Sequence, residues 1–214
     1  MDVRAVNTFF SDAPANDEQG SGTWYDALTH TRDYLEPEIN NVVATFDLKC
    51  KLDLKKIASS ISNAEFNVNR NHGCVLRLAD PKATMIIHRT GNVVCTGAAD
   101  VSKCKRACVK CARLMKMLDY PIKGFRGFKV QNIVAKAHVG FRVNVDELFR
   151  VHFKFSEYEA EVFPGLIYRL QDPQVTVLIF STGSVVIAGA KSVQAVNAAF
   201  RKMRDLLQAF QVTD

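Results

Sequence analysis

Cys104, Cys108 and Cys111 come nearest to a metal-binding pattern in this chain. Thiols at i, i+4 and i+7 share one stripe of a helix, and zinc takes thiolates at about 2.3 Å. The stripe runs on into Met115 and Leu118, however, and structural zinc normally takes four ligands with a close cysteine pair in a turn. The pattern therefore favours a buried helix face built partly of small thiols, and no metal site is expected. The five histidines, His30, His72, His88, His138 and His152, show no ligand spacing such as H-E-x-x-H. Glycine-rich phosphate loops, nucleophile elbows and paired carboxylates are also missing, so neither an enzyme nor a cofactor is expected. Six cysteines behind an N-terminus without a basic-then-apolar leader point to free thiols in a reducing compartment.

A second kind of chemistry is carried by amides set among aliphatic side chains. Period-2 alternation in the short stretches 40–45 and 131–136 puts Asn41 with Val43 on one face, and Asn132 with Val134 on the matching one. The two stretches match because the chain is duplicated. LADPKATMIIHRTGNVVCTGAA at 78–99 recurs as LQDPQVTVLIFSTGSVVIAGAK at 170–191, with 11 of 22 positions identical at an offset of 92. Each copy predicts a strand and a short helix (54–61, then 145–152). A meander follows, with strands at 74–78, 84–88 and 93–96 and, in the second copy, at 166–170, 176–180 and 185–188. Asp-Pro and Thr-Gly turns join these strands. A longer amphipathic helix closes each copy, with its second stripe on Val193, Val196, Phe200, Met203, Leu207 and Phe210.

Two units of strand–helix–four strands–helix predict an α+β fold: one ten-stranded antiparallel sheet with four helices on one side and its other face uncovered. That face would carry Ile86, His88, Asn92, Val94 and Thr96 from the first repeat, and Leu178, Phe180, Ser184, Val186 and Ala188 from the second. Aliphatic side chains dotted with amides suit a DNA minor groove, whose acceptors are nearly degenerate. Cover by another chain, or by the N-terminal segment, would suit the same pattern. Charge leaves a parallel choice. Residues 1–38 hold eight acidic and two basic residues, and the remaining chain holds 14 acidic and 26 basic, so an arm of −6 precedes a body of +12. A polyanion partner fits this split, and so does a merely soluble surface. The domain reading is a flexible acidic extension at 1–38, a first repeat at 39–127 and a second at 128–214. Trp24 and Tyr25 would pack locally in the extension, and its charge could shield the groove face.

CKLDLK at 50–55, NAEFN at 63–67, VVCTGA at 93–98, QNIV at 131–134 and SEYEAEVFPGLIYRL at 156–170 resemble the TATA-binding protein family over about 175 residues. The resemblance implies a saddle whose concave sheet sits on the DNA minor groove and whose convex side bears the four helices. It implies a nuclear general transcription factor that nucleates preinitiation complexes. Family wedge phenylalanines match Phe163 and Phe180 in the second repeat, whereas Asn71 and His88 stand at the first-repeat positions. Groove-floor types are kept at Asn41, Val43, Ile86, Val94, Thr96, Asn132, Val134, Leu178 and Val186, while Ala188 replaces a threonine. Arg70, Arg77 and Arg169 match phosphate contacts. Glu159 and Glu161 match the acidic surface for a transcription factor IIB-like protein, and Lys105, Lys110 and Arg113 the basic helix approached by a factor IIA-like protein. Losing two wedges implies a one-sided bend and weak preference for TATA sequences. This divergent pattern is similar to the TATA-binding-protein-related factor of kinetoplastid parasites, which implies partner-driven recruitment, small-nuclear-RNA-activating complex subunits among the partners, and small-RNA gene promoters. The alternative is a protein-interaction scaffold with little DNA binding of its own.

Overall fold

In the computed structural model, residues 36–67, 73–122 and 125–212 are described. The acidic extension with Trp24 and Tyr25, and the site candidates Arg70 and Asn71, lie outside the described residues. The first repeat comprises β1 (Glu38–Asp47), α1 (Leu54–Ser60), β2 (Ala64–Glu65), β3 (Gly73–Leu78), β4 (Ala83–His88), β5 (Asn92–Ala98) and α2 (Val101–Met117). The second comprises β6 (Arg126–His138), α3 (Val145–His152), β7 (Ser156–Glu157), β8 (Leu166–Leu170), β9 (Val175–Ile179), β10 (Ser184–Ala190) and α4 (Val193–Gln208).

The ten strands form one sheet in the order β2-β3-β4-β5-β1-β6-β10-β9-β8-β7. That order reads identically from either edge once the repeats are exchanged, and every pairing is antiparallel. The pseudo-twofold axis passes between β1 and β6, where Asn41 pairs with Val134 and Val43 with Asn132. β1 and β6 extend beyond their alternating cores because each pairs on both sides, so ladder bonds carry residues that periodicity alone does not mark.

Helix starts follow local chemistry. The carboxylate of Asp53 accepts from the Lys55 and Lys56 amides, and that of Asp100 from Lys103; Asn144 and Ser192 cap α3 and α4 through Glu147 and Ala195. The Lys103 amide N–H holds the Asp100 carboxyl below its ordinary pKa. Between helices and sheet lies one core, with Val42, Ala44, Phe46, Met85, Ile87, Val93 and Cys95 below the first repeat and Ile133, Ala135, Val177, Ile179, Val185 and Ile187 below the second. The cysteine stripe of α2 is part of it: Cys104, Cys108 and Cys111 are fully buried. Alternate residues of the same strands consequently point to the opposite face.

Candidate nucleic-acid interface

At the centre of the sheet face opposite α1–α4, the two repeats present one arrangement twice. Asn41 Oδ1 accepts from the Gly97 amide N–H at 2.7 Å, and Asn132 Oδ1 accepts from the Gly189 amide N–H at 2.7 Å. Both glycines hold positive φ, at 83° and 96°, in the irregular ends of β5 and β10 where the ladder shifts register. An oxygen committed to a backbone donor fixes which way each amide lies and leaves Nδ2 as the donor end. In the first repeat the Thr96 hydroxyl lies 3.3 Å from both Asn41 side-chain heteroatoms. In the second, Ala188 occupies the corresponding place and offers no hydroxyl.

Rows of apolar side chains flank this pair. Val75, Ile86, Val94 and Thr45 are cross-strand neighbours in the first repeat; Ile167, Leu178, Val186 and Lys136 are their counterparts. The halves differ in exposure. Ile86, His88, Val94 and Thr96 are half-buried, but Leu178, Val186 and Phe180 are only 3%, 3% and 2% exposed and Asn132 is 7% exposed. None of Ile167, Leu178, Phe180 and Val186 belongs to the core beneath the helices. The second-repeat side of this face is therefore the more enclosed. For Phe180 part of the reason is Phe163, whose ring meets it edge-on at 5.9 Å and 67°. Backbone bonds from Val162 and Phe163 to the Glu159 carbonyl fix the turn that delivers Phe163. Gly165 lies beneath both rings.

Arginines stand at both edges. Arg77 pairs with Glu65 at 3.1 Å, and its counterpart Arg169 pairs with Glu157 at 2.8 Å. These glutamates, in the two-residue edge strands β2 and β7, escape period-based reading because two residues carry no period. Lys136 was also missed; it shares a sheet row with Val186 and lies 3.8 Å from Glu38. On the helix side, Lys105, Lys110 and Arg113 are exposed on α2. Lys110 has a structural task as well: its ammonium donates to the Asp80 carbonyl, as Lys202 does to Asp172. Glu159 and Glu161 are exposed near Val162, which is 69% exposed. The interface thus has a central pair of amides, apolar rows and arginine edges, with aromatic rings at one end only among the described residues.

Comparison with known proteins agrees with this geometry. The family model described as transcription factor TFIID, or TATA-binding protein, matches residues 36–118 and again 127–210. TATA-box-binding protein 2 of Entamoeba histolytica is 43% identical over 178 residues, covering 83% of this chain and 84% of that protein. The TATA-box-binding protein of Tetrahymena thermophila is 42% identical over 180 residues, or 84% of this chain and 73% of that one. The structure of the Methanococcus jannaschii TATA-binding protein superposes with a TM-score of 0.73 at 38% identity, over 81% of this chain and 99% of that one. Among the described residues no helix is long and apolar enough to cross a membrane. The doubled motif, the palindromic sheet and these matches converge: the chain belongs to the TATA-binding protein family of non-enzymatic transcription factors.

Proposed function

We propose that this protein is a nuclear transcription-initiation factor that lays the sheet face opposite α1–α4 on the minor groove of promoter DNA and nucleates preinitiation complexes with a weakened preference for TATA sequences. The observation that carries this reading is the symmetric Asn41/Asn132 pair. Each amide is locked by a glycine N–H so that its donor end serves the face, and A·T pairs offer only acceptors in the minor groove. Val43, Val94, Val134, Val186, Ile86 and Leu178 supply the apolar floor, and Arg77 and Arg169 exchange glutamate for phosphate. Arg70 and Asn71 are assigned to the first-repeat rim by their places in the sequence.

Wedging is confined to one end. Phe163 and Phe180 are paired there, while His88 occupies the position matching Phe180. Inserting apolar rings between base steps, for which the TATA-binding protein is itself the standard example, costs about a few kcal/mol per step and is offset by the larger surface that a bent duplex lays on the protein. A half-buried imidazole is smaller and more polar than a benzyl ring, and Ala188 lacks the threonine hydroxyl. The first change weakens discrimination by shape and the second weakens it by hydrogen bonding. Partner surfaces are assigned to Lys105, Lys110 and Arg113 for a factor IIA-like protein and to Glu159 and Glu161 for a factor IIB-like one. Recruitment by small-nuclear-RNA-activating complex subunits to small-RNA gene promoters goes with a weak intrinsic sequence preference.

A scaffold with little independent DNA binding is the second reading, favoured by His88 and Asn71 at the wedge positions and by the exposed apolar side chains Phe153 and Val162. Titration of labelled TATA and non-TATA duplexes separates the two. Submicromolar, salt-sensitive binding that falls in a Phe163→Ala/Phe180→Ala variant is expected. Equal binding by variant and wild type refutes the wedge, and no binding at low salt selects the scaffold.

A further inference from the structure

Five of the six cysteines lie together under the first repeat. Cys74 comes from β3, Cys95 from β5, and Cys104, Cys108 and Cys111 from α2, and all five are fully buried. Packing alone does not ask for them. Offset by 92 residues, the second repeat fills the same five places with Leu166, Ile187, Val196, Phe200 and Met203, and these too are buried in the same kind of core. The frame thus accepts ordinary apolar residues at every one of these positions, and the first repeat has thiols at all of them.

Three of the thiols converge. The sulfurs of Cys95, Cys104 and Cys108 lie within 4.8 Å of one another, with Cys95 and Cys104 only 3.4 Å apart. Donors at the usual metal–thiolate length of about 2.3 Å stand roughly 3.5–4 Å apart in a three-coordinate centre, so the set needs only a small contraction. Zinc would want a fourth ligand, and the group that converges here has three members. Charge narrows the choice further. The buried polar side chains among the described residues are Asn132, Ser156 and Ser184, so no buried cation is at hand to balance an anionic complex. Three thiolates around a monovalent or divalent ion would leave net negative charge in an apolar core, which is costly, whereas around a trivalent ion they are neutral.

We propose that Cys95, Cys104 and Cys108 form a three-thiol site for a trivalent thiophilic ion of the arsenic(III) class. Arsenous acid supplies the ion without redox change: three As–O bonds break, three As–S bonds form, and the three thiol protons leave with the hydroxyls as three waters. Because the sulfurs are fully buried between β5 and α2, capture requires the helix to lift transiently from the strand, so binding is slow. Once formed, the centre staples α2 to the sheet.

The full chain, freshly reduced, is titrated with sodium arsenite and followed by native mass spectrometry, with alkylation mapping of the thiols that remain reactive after denaturation. One arsenic per chain is expected, protecting Cys95, Cys104 and Cys108 and leaving Cys50, Cys74 and Cys111 open. Cys104→Val installs the residue that the second repeat already carries. This variant and Cys108→Ala should each weaken binding by on the order of 100-fold, since a three-armed chelate loses one arm; Cys50→Ser should bind as wild type does. The proposal is overturned if wild type takes up no arsenic, if Cys104→Val binds as tightly as wild type, or if the map shows protection at other cysteines. It is equally overturned if zinc binds and protects a fourth thiol. The map is read on the wild-type chain, so it decides the matter even if a variant fails to fold.

Discussion

Replacing Gly165 with alanine tests the wedge from beneath. A Cβ at that position would lie 2.6 Å from Phe163 Cε1, 2.9 Å from Phe180 Cε1 and 3.1 Å from Phe180 Cζ. Non-bonded carbons rest at about 3.5–4.0 Å, so a ring edge must retreat by roughly an ångström. Phe180 is 2% exposed and Phe163 is half-buried, so Phe163 is the ring expected to give way. Its displacement forfeits an edge-to-face pair worth about 0.5–1.5 kcal/mol, and any residual overpacking adds about 1–3 kcal/mol. We expect urea denaturation to show a loss of about 1.5–4.5 kcal/mol in stability, and DNA affinity to fall by about 2- to 10-fold from lost ring placement alone. Gly73→Ala is the matched control. Its Cβ would meet Ile86 Cγ2 at 3.0 Å and the Ile87 carbonyl at 3.1 Å, with His88 Nδ1 at an ordinary contact distance of 3.5 Å and no pair of phenyl rings to disturb. It should cost stability without changing the bend. Energy transfer between dyes at the two ends of a duplex reads that bend. If Gly165→Ala bends DNA as wild type does, the ring pair is not the wedge.

The other predictions touch the face at separate points. Ala188→Thr restores in the second repeat the hydroxyl that Thr96 provides beside Asn41, and should raise affinity for a TATA duplex by the equivalent of about 0.5–1.5 kcal/mol in a titration, with little change for a non-TATA one. Asn132→Asp keeps an oxygen for the Gly189 amide but replaces the Nδ2 donor with a charged acceptor. Folding should survive by circular dichroism while affinity drops by about 1–3 kcal/mol. Deleting residues 1–35 removes six acidic and two basic residues and takes the net charge from +6 to +10. DNA binding should then strengthen at low salt, and the gain should fade as salt rises.

The duplication made most of the frame readable, because each doubtful segment could be judged twice. α3 (Val145–His152) and β8 (Leu166–Leu170) fall on the stretches marked by periodicity and turns. The alternation that put Asn41 and Val43 on one face is the alternation of burial seen in β1. What stayed hidden has identifiable causes. β2 and β7 are two residues long, too short to show a period, and they carry the glutamates that pair with Arg77 and Arg169. The locking of Asn41 and Asn132 runs through backbone N–H groups of glycines 56 and 57 residues away, which no side-chain pattern announces. Cys95 joins Cys104 and Cys108 only because β5 packs under α2; on the sequence alone it belongs to a strand and they to a helix.

The two repeats have diverged in complementary ways, and the divergence bears on mechanism more than on fold. The first repeat keeps the Asn41–Thr96 contact and places His88 where the second has Phe180. The second keeps the Phe163–Phe180 pair over Gly165 and has Ala188 where the first has Thr96. Polar reading and apolar wedging draw on different free-energy terms: hydrogen bonding to base edges depends on sequence directly, while unstacking depends on how easily a step opens. A symmetric saddle applies both at each half-site and so cannot fix its direction on DNA strongly. On the proposed reading, the half-site under β4 and β5 would be read mainly by hydrogen bonding, and the half-site under β8 and β9 mainly by deformation. A duplex with an A·T-rich half beside a flexible pyrimidine–purine step should therefore bind in one orientation, with the step under Phe163. Placing a cleavage reagent at Cys50 in a Cys50-only variant and mapping cuts on both strands would show it; equal cutting on either side of the site would mean that the two halves remain equivalent.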